Sequence, residues 1–368
     1  MRPVYKWVAV GCLTLLPALP LTATAQEKID PKLADSWAFM QKAMPGVPYA
    51  VLKAACQEGT VMVYYGTWIT AQEAENAGFH KRFPCVNVQG YSAKTGERHE
   101  RWMAEMNAGR YIADIIQETN PGVLNQERQK GLLTQYKISN ADKIPKAAQN
   151  PGYWYGLRIA MVGIAWNTDR VSDKDAKVLQ SWKGLLDPRW KKRAGVISPR
   201  AGGVGFLPWY LWPKLYGDGF LKKIGEQDPR VFGGTNPASA ALASGDIAVL
   251  FNASETGLLP LYNKGAPIKW SLPDPGIGPV TGQAISAHAP HLAAAKLYQE
   301  YTFTSEGYKL WQKRGGAPAR KDYKDQRKVA QESWYHLPSD LAEYSTADAA
   351  KRVHEVTAKF DKLIAKQK

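Results

Sequence analysis

Short apolar runs alternate with segments of helical spacing over residues 61–117. The runs 61–65, 86–91 and 113–117 have the length and the β-branched or aromatic content of strands, and helical patterns fill the intervals between them. This order predicts an α/β fold with a parallel sheet, because each crossover connection packs back on the sheet. Ligands gather at the carboxyl ends of such strands. The candidate ligand contacts there are Tyr65, Thr67, Trp68, Ser92, Lys94, Thr95 and Glu118.

A second strand-to-helix corner lies at residues 193–219. Val196 and Ile197 form a β-branched run, and a glycine-rich loop then leads into an apolar, aromatic segment of helical length. Unpartnered amides and the dipole of a helix N-terminus attract anions, and glycines let a ligand approach the backbone. The arginine of this loop could add a two-pronged donor for a carboxylate or phosphonate. The predicted anion site is Arg200, Gly202, Gly203, Val204 and Gly205, although an ordinary turn has the same spacing.

Residues 1–25 have the pattern of a secretory signal peptide. Arg2 and Lys6 form a basic head, residues 7–21 are apolar, and Ala23-Thr24-Ala25 is a small-residue cleavage site. The apolar run is shorter than the roughly 20 residues that span a bilayer. We therefore expect a soluble periplasmic protein, with a lipid anchor on Cys12 as the alternative.

Loss of that peptide would leave Cys56 and Cys85 in an oxidising compartment. Each cysteine precedes a predicted strand, so both sulfurs lie at one edge of the sheet if the strands are parallel neighbours. This predicts a disulfide, with two buried thiols as the alternative. A loop of about 30 residues would add roughly 3–4 kcal/mol in the chain-entropy model.

The formal net charge is +15, and removal of Arg2 and Lys6 would leave +13. Such a charge raises the question of nucleic acid. The export signal and the scattered distribution of Lys and Arg argue against a nucleic-acid partner and favour an anionic ligand or surface. The motifs Gly-x-Ser-x-Gly and His-Glu-x-x-His do not occur, which argues against a secreted hydrolase. We expect no cofactor and no resident metal.

Several short phrases occur in an order that resembles a known family. The family is that of the extracellular solute-binding proteins of ABC importers, in the group that includes ferric-ion-binding proteins, and the likeness covers roughly residues 55–322. The phrases are FP at 83–84, AWNT at 165–168, SWKGLLDP at 181–188, PRAGG at 199–203, ALASGDIA at 241–248, KGAP at 264–267, APHLAAAKL at 289–297, SEG at 305–307 and GGAPAR at 315–320.

The resemblance implies a two-lobed clamshell of type II periplasmic-binding-protein topology. Residues 26–158 and 278–315 would form lobe 1, and residues 159–277 and 316–368 would form lobe 2. The lobes would close over a small molecule, and an inner-membrane ABC permease would read the closed form. The protein would then be a monomeric binding protein and no enzyme. In this family, the loop that matches residues 199–205 commonly lines the cleft.

The sequence departs from the iron-binding members at one position. Their two adjacent tyrosines fall on Glu255 and Thr256, which supply no phenolate for Fe³⁺. Glu255 fits better as the partner of an amine, so that the cleft would take an anionic or zwitterionic solute, such as an aminophosphonate or an amino-acid-like compound. Asn236 and Thr281 complete the candidate contacts.

Three alternatives remain open at this point. The first is ferric iron. The second is a polyamine, held by Glu118, Glu255 and aromatic residues such as Trp154 and Tyr155. The third is a secreted enzyme on the same fold, in which paired carboxylates do acid–base chemistry.

Overall fold

The computed structural model describes residues 28–66, 69–93, 95–119, 121–312 and 316–365, apart from the side chains of Thr70, Thr95, Ala147, Gln312, Thr346 and Ala347. The proposed signal peptide, Thr67, Trp68 and Lys94 lie outside the described residues. Residues 28–34 belong to a separate short unit, with one 3-10 helix, Pro31–Leu33. Residues 35–365 form the main body. None of the helices in the described ranges combines the length and the apolar character that a membrane span requires.

Eleven strands lie in the described residues, in two sheets with the orders β2-β1-β3-β11-β5-β4 and β10-β6-β9-β7-β8. The strands are β1 Thr60–Tyr65, β2 Asn87–Ser92, β3 Ile115–Glu118, β4 Gln149–Asn150, β5 Trp154–Ile159, β6 Val162–Asn167, β7 Ala194–Ile197, β8 Arg230–Phe232, β9 Val249–Ser254, β10 Ile268–Ser271 and β11 Val280–Ile285.

Helices cover the faces of both sheets. The α-helices are α1 Ala34–Ala43, α2 Tyr49–Glu58, α3 Ile69–Arg82, α4 Thr95–Asn107, α5 Pro121–Gln129, α6 Asp173–Ala176, α7 Gly203–Tyr216, α8 Gly219–Glu226, α9 Thr235–Ser244, α10 Glu255–Asn263, α11 Leu292–Thr302, α12 Ser305–Gln312, α13 Thr346–Lys351 and α14 Val353–Leu363. Further 3-10 helices are Ala141–Lys143, Lys146–Ala148, Lys177–Gln180, Trp182–Leu186, Pro188–Trp190, Pro199–Ala201 and Lys328–Gln331.

The first sheet contains the predicted parallel strands. β1 pairs in parallel with β2 and β3, and Tyr65 stands opposite Ser92 in the register. The carboxyl ends of these three strands therefore lie at one edge. β11 joins antiparallel to β3 and β5 after the chain has passed through the second sheet. The mixed α/β architecture with two sheets confirms the predicted fold class.

The second sheet repeats this arrangement. β7 pairs in parallel with β8 and β9. β6 pairs antiparallel with β9, and β10 pairs antiparallel with β6. Because β7, β8 and β9 are parallel, the helices α7, α9 and α10 that follow them begin at the same edge. Three helix N-termini thus lie at that edge, and the first amide of α10, that of Glu255, donates to the Met161 carbonyl oxygen at 3.0 Å.

The core of the second lobe is rich in tryptophan. Trp209 and Trp212 of α7 are buried, with ring centroids 5.2 Å apart, and Trp182 packs on Trp212 at 5.7 Å. The edge-to-face contact suits the quadrupoles of the rings. This packing fixes α7 against the sheet and so fixes the position of its N-terminus.

The C-terminal segment, residues 316–365, runs across both lobes. Ala317 exchanges backbone hydrogen bonds with Ile159, and the amides of Gly276 and Ala342 bond back to Asp340 and Gly276 at 2.8 Å each. Helix α13 packs against α5 of the first lobe, and α14 packs against α7 and α8 of the second. The segment therefore contacts both stretches of chain that connect the sheets, which are the one between β5 and β6 and the one between β10 and β11.

The disulfide Cys56–Cys85 is present, as the cysteine positions predict. It joins the end of α2 to the residues before β2, with Cα atoms 5.0 Å apart and a sequence separation of 29. The Asn87 amide donates to the Gly59 carbonyl at 2.9 Å next to it. The bond therefore closes the amino-terminal edge of the first sheet, opposite the edge at which ligand contacts are expected.

A buried carboxyl group lies inside the first lobe. Glu75 of α3 has no exposed surface, and its Oε2 accepts from Trp311 Nε1 at 2.6 Å and Tyr298 Oη at 3.2 Å. Its Oε1 has no hydrogen-bond partner in the described part of the chain. Burial raises the pKa of Glu75 to about 7, because the charged form is desolvated.

The raised pKa gives a testable pH dependence. Between pH 4.5 and about 7 the folded chain keeps a proton on Glu75 that the unfolded chain releases, so the free energy of unfolding falls as pH rises. The total loss is on the order of 3 kcal/mol. We expect Glu75→Gln to flatten this slope in urea titrations at pH 5 and 7, whereas Glu73→Gln, at an exposed position of the same helix, keeps it. Identical slopes in wild type and Glu75→Gln would contradict the assignment.

Candidate functional site

A pocket of about 540 Å³ lies between the carboxyl edges of the two sheets. Thr119 follows β3 of the first lobe, Gly202 and Gly203 follow β7 of the second, and Pro279 precedes β11 in one of the connections between them. The glycine loop and the end of a first-lobe strand therefore line the same space. The other lining residues are Pro199, Arg200, Phe206, Leu207, Tyr344, Ala349, Ala350, Val353 and Thr357.

The local sequence forces the shape of the glycine corner. Ser198 Oγ accepts from the Arg200 amide at 3.2 Å and caps a short 3-10 helix. Gly202 then has φ 69° and ψ −179°, a region that only glycine occupies readily. Apart from the adjoining residues of the chain and the backbone of α7, no atom of the described residues lies within 4 Å of where a Cβ of Gly202 or Gly203 would stand. These two glycines leave the start of α7 open to the pocket.

The other two residues of the predicted loop play a structural part. A Cβ on Gly205 would stand 2.8 Å from Ala201 Cβ and 3.0 Å from the Ser198 carbonyl oxygen. Gly205 is therefore needed for close packing of the corner rather than for contact with a ligand. Val204 is half-buried and packs against the tryptophan core. Ligand contact from this loop falls to Gly202 and Gly203.

Arg200 has a partner that its own loop does not suggest. Its Nη1 and Nη2 donate to the two carboxylate oxygens of Asp361 on α14, at 2.8 and 2.7 Å. This hydrogen bonding raises the pKa of Arg200. The two-pronged donor expected to hold a ligand carboxylate holds the carboxylate of the C-terminal helix instead. A ligand would share Arg200 with Asp361 or displace it.

Glu255 is fully buried in an ion pair, and both of its carboxylate oxygens are hydrogen-bonded to side chains of the C-terminal segment. Arg327 Nη1 donates to Oε2 at 2.8 Å, and Tyr335 Oη donates to Oε1 at 2.6 Å. Arg327 also binds Asp325, at 2.6 Å. This geometry does not favour the prediction that Glu255 pairs with a ligand amine, because both partners would have to leave first.

Glu118 is also buried and close to an arginine. Its Oε2 lies 3.7 Å from Arg98 Nη2, and Arg98 Nη1 donates to the Ala93 carbonyl oxygen at 3.0 Å. Burial lowers the pKa of Arg98, and the Glu118 charge opposes that shift. The carboxylate lies under the edge of the first sheet, so the structure does not present it to the pocket.

The aromatic and hydroxyl candidates of the first lobe are mostly covered. Tyr65 is 9% exposed, and its ring lies over Gly90 of β2. Ser92 Oγ donates to the Gly66 carbonyl oxygen at 3.1 Å. Thr67, Trp68 and the Thr95 side chain lie outside the described residues.

Two candidates near the connections between the lobes lie inside the protein. Tyr155 has no exposed surface, and its hydroxyl accepts from the Gly152 amide at 2.8 Å while its ring packs on Phe303. The structure thus places Tyr155 in the core and not in the pocket, because both faces of β5 are buried. Thr281 of β11 is 5% exposed. Asn236, by contrast, is exposed on the first turn of α9, at the edge where α7 and α10 also begin.

Sequence reasoning missed the contribution of the C-terminal segment. Tyr344, Ala349, Ala350, Val353 and Thr357 supply five of the residues around the pocket. They belong to a stretch of charged helical sequence with no local motif, and Asp361 is 161 residues away from its partner Arg200. No cluster of three or more His, Cys, Asp or Glu side chains that could hold a metal occurs within residues 28–365 as far as they are described.

Loss of the Glu255 carboxylate should destabilise the fold. Glu255→Ala would leave Arg327 buried with Asp325 as its remaining charged partner. We expect the free energy of unfolding to fall by roughly 3 kcal/mol, the usual cost of breaking a buried pair. Calorimetric melting of the variant checks this. Glu226→Ala, at an exposed position, is the matched control and should change it by less than about 0.5 kcal/mol; equal melting of the two variants would contradict a buried ion pair.

Comparisons with known proteins agree with this architecture. Residues 111–223 match the family model described as bacterial extracellular solute-binding protein. No curated protein sequence matches the chain. The solved structures that share the fold include the following three. Iron-bound HitA from Pseudomonas aeruginosa has a TM-score of 0.64 at 19% identity, with 81% of this chain and 99% of that one covered.

The second is FutA (IdiA) from Trichodesmium in complex with iron and citrate, with a TM-score of 0.68, 17% identity, and coverage of 83% of this chain and 99% of that one. The third is the periplasmic binding protein AfuA from Actinobacillus pleuropneumoniae with fructose 6-phosphate, with a TM-score of 0.57, 18% identity, and the same coverage. The chain has the two-lobed fold of these three structures, and its residues 111–223 match the family model of bacterial extracellular solute-binding proteins, which confirms the resemblance noted in its sequence.

Proposed function

We propose that this protein is the periplasmic substrate-binding component of an ABC importer, and that it captures a small organic anion between its two lobes. The observation that carries the proposal is the pocket in which Thr119 of the first lobe and Gly202 and Gly203 of the second line one space. A volume of about 540 Å³ lies in the range that holds small organic ligands. An inner-membrane permease is the proposed partner.

The charge of the site supports an anion. α7 begins at Gly203 in the pocket lining, and a helix N-terminus carries roughly half a positive charge, whereas α9 and α10 begin at the same sheet edge but outside that lining. The two carboxylates that could have attracted a cation, Glu118 and Glu255, are each next to a buried arginine. A polyamine would therefore meet a positive helix N-terminus, and the carboxylates Glu118 and Glu255 that could attract it are already paired with arginines.

We propose that the ligand is an anion rather than a zwitterion or a ferric ion. A zwitterion needs a carboxylate for its amine, and Glu255 is bound to Arg327 and Tyr335. Iron-bound HitA shares the fold, but the positions that match the tyrosine pair of ferric-ion-binding proteins carry Glu255 and Thr256 here. AfuA has this fold and was solved with fructose 6-phosphate, which is an organic anion.

Binding requires no catalytic step. The ligand must contact the closed arrangement of the lobes more strongly than the open one, since only a difference in affinity shifts the population. Contacts from Thr119 on one side and the α7 amides on the other would supply that difference. The permease would then distinguish loaded from empty protein by the closure of the lobes.

A thermal-shift screen of residues 26–368 tests the ligand class. The panel contains straight-chain carboxylates, alkyl phosphonates, 2-aminoethylphosphonate, spermidine and ferric citrate. We expect stabilisation by at least one of the simple anions, because a ligand at 100 times its Kd adds about 2.7 kcal/mol to the folded state. Stabilisation by spermidine or ferric citrate alone would overturn the proposal.

A charge placed at the glycine corner tests the site itself. Gly203→Asp and Gly203→Asn add side chains of nearly equal size at a position with open space around it, and both variants carry the same backbone strain from its φ of 43°, so that this strain cancels in the comparison. Only Asp adds a negative charge. We expect Gly203→Asp to bind the stabilising anion at least tenfold more weakly than Gly203→Asn in calorimetric titration. Equal affinity of the two variants would place the anion elsewhere.

A further inference from the structure

The C-terminal helices form one wall of the pocket, and most of that wall is apolar. Ala349, Ala350 and Val353 line the pocket from α13 and α14, next to Tyr344. Val353 is 45% exposed, one of few large apolar side chains in the described residues with that much surface. Burial, with a smaller contribution from Tyr210, raises the pKa of Tyr344 to about 12, so its phenol is neutral at pH 7.

The opposite side of the pocket has the same character. Phe206 and Leu207 of α7 and Pro279 between the lobes complete an apolar lining. The polar groups are Thr119, Thr357, Arg200 and the backbone of Gly202 and Gly203. No Asp or Glu side chain lines the pocket among the described residues.

The wall is fastened to the helix that carries the glycine corner. Asp348 Oδ2 of α13 accepts from Tyr210 Oη at 2.6 Å and from Lys214 Nζ at 2.8 Å, both on α7. Phe360 of α14 packs on Trp209 with ring centroids 4.7 Å apart. Because both helices are held by α7, the apolar wall and the start of α7 keep a fixed relative position.

We infer that Tyr344, Ala349, Ala350 and Val353 select the apolar part of the solute, so that the ligand class is an organic anion with an aliphatic or aromatic body. This inference rests on the proposed function, which assigns the anionic group of the solute to the same pocket. Each methylene moved from water onto apolar side chains gains up to about 0.8 kcal/mol, roughly a fourfold change in affinity. Each sugar hydroxyl placed there without a partner loses affinity instead.

The test is a homologous series measured by calorimetric titration. Butanoate, hexanoate and octanoate are titrated into residues 26–368, with fructose 6-phosphate as the polar anion. We expect the Kd to fall about two- to fourfold per added methylene until the pocket is full, and fructose 6-phosphate to bind more weakly than hexanoate. A Kd that does not depend on chain length would overturn the inference.

A single substitution assigns the effect to this wall. Val353→Ser should lower the ratio of octanoate to butanoate affinity about threefold or more, with the melting temperature unchanged because the side chain is exposed. Leu292→Ser is the matched control, since Leu292 is 36% exposed at the start of α11, beyond the opposite edge of the first sheet. An affinity ratio that is the same in Val353→Ser as in wild type would also overturn the inference.

The two proposals fail in different ways. In the first case the anions bind, Gly203→Asp weakens their binding, and chain length has no effect on the Kd. The anion site is then supported and the selective wall is not. If no carboxylate or phosphonate binds to wild type, both proposals fall. If anions bind with the expected chain-length dependence but Gly203→Asp and Gly203→Asn are equal, the wall stands and the anionic group lies away from the glycine corner.

Discussion

The attachment of the C-terminal segment to the second lobe determines the shape of the candidate site. Its main anchor is the buried contact of Arg327 with Glu255, and Arg200–Asp361 and Lys214–Asp348 add exposed pairs farther along. Exposed pairs contribute little stability, about 0–1 kcal/mol each, whereas a buried charge cannot lose its partner cheaply. Glu255 therefore fixes the path of the segment, and the surface pairs together with Phe360 on Trp209 orient its last helix.

Local sequence was sufficient to predict the secondary-structure elements of the first sheet. It was not sufficient to predict the hydrogen-bond partners of the charged candidate residues. The alternation of strands and helices over residues 61–117 predicted the parallel strands β1, β2 and β3, and the spacing of Cys56 and Cys85 predicted their disulfide. Both features join elements that follow one another along a short stretch of chain, and the two cysteines are 29 residues apart. The same kind of reasoning placed Gly202 and Gly203 at the start of a helix that faces a pocket.

The partners of the charged candidates could not be read in this way. Arg200 and Glu255 are hydrogen-bonded to residues 161 and 72 positions away, in a segment that no motif marks. Tyr155 lies on a strand whose two faces are both buried, so its neighbours do not indicate which side it faces. In each case the deciding contact is tertiary, and a free donor or acceptor in the sequence becomes a satisfied one in the fold.

The chain passes between the two sheets three times. It does so between Ile159 and Val162, between Ser271 and Val280, and again after α12 in the stretch where Ala317 bonds to Ile159. Two lobes joined by a single linker can rotate about any axis. Three adjacent connections that share backbone hydrogen bonds resist torsion of one sheet against the other, because torsion would shear those bonds. A hinge about these three connections would keep their hydrogen bonds intact, and it is the movement that the proposed closure over a solute requires.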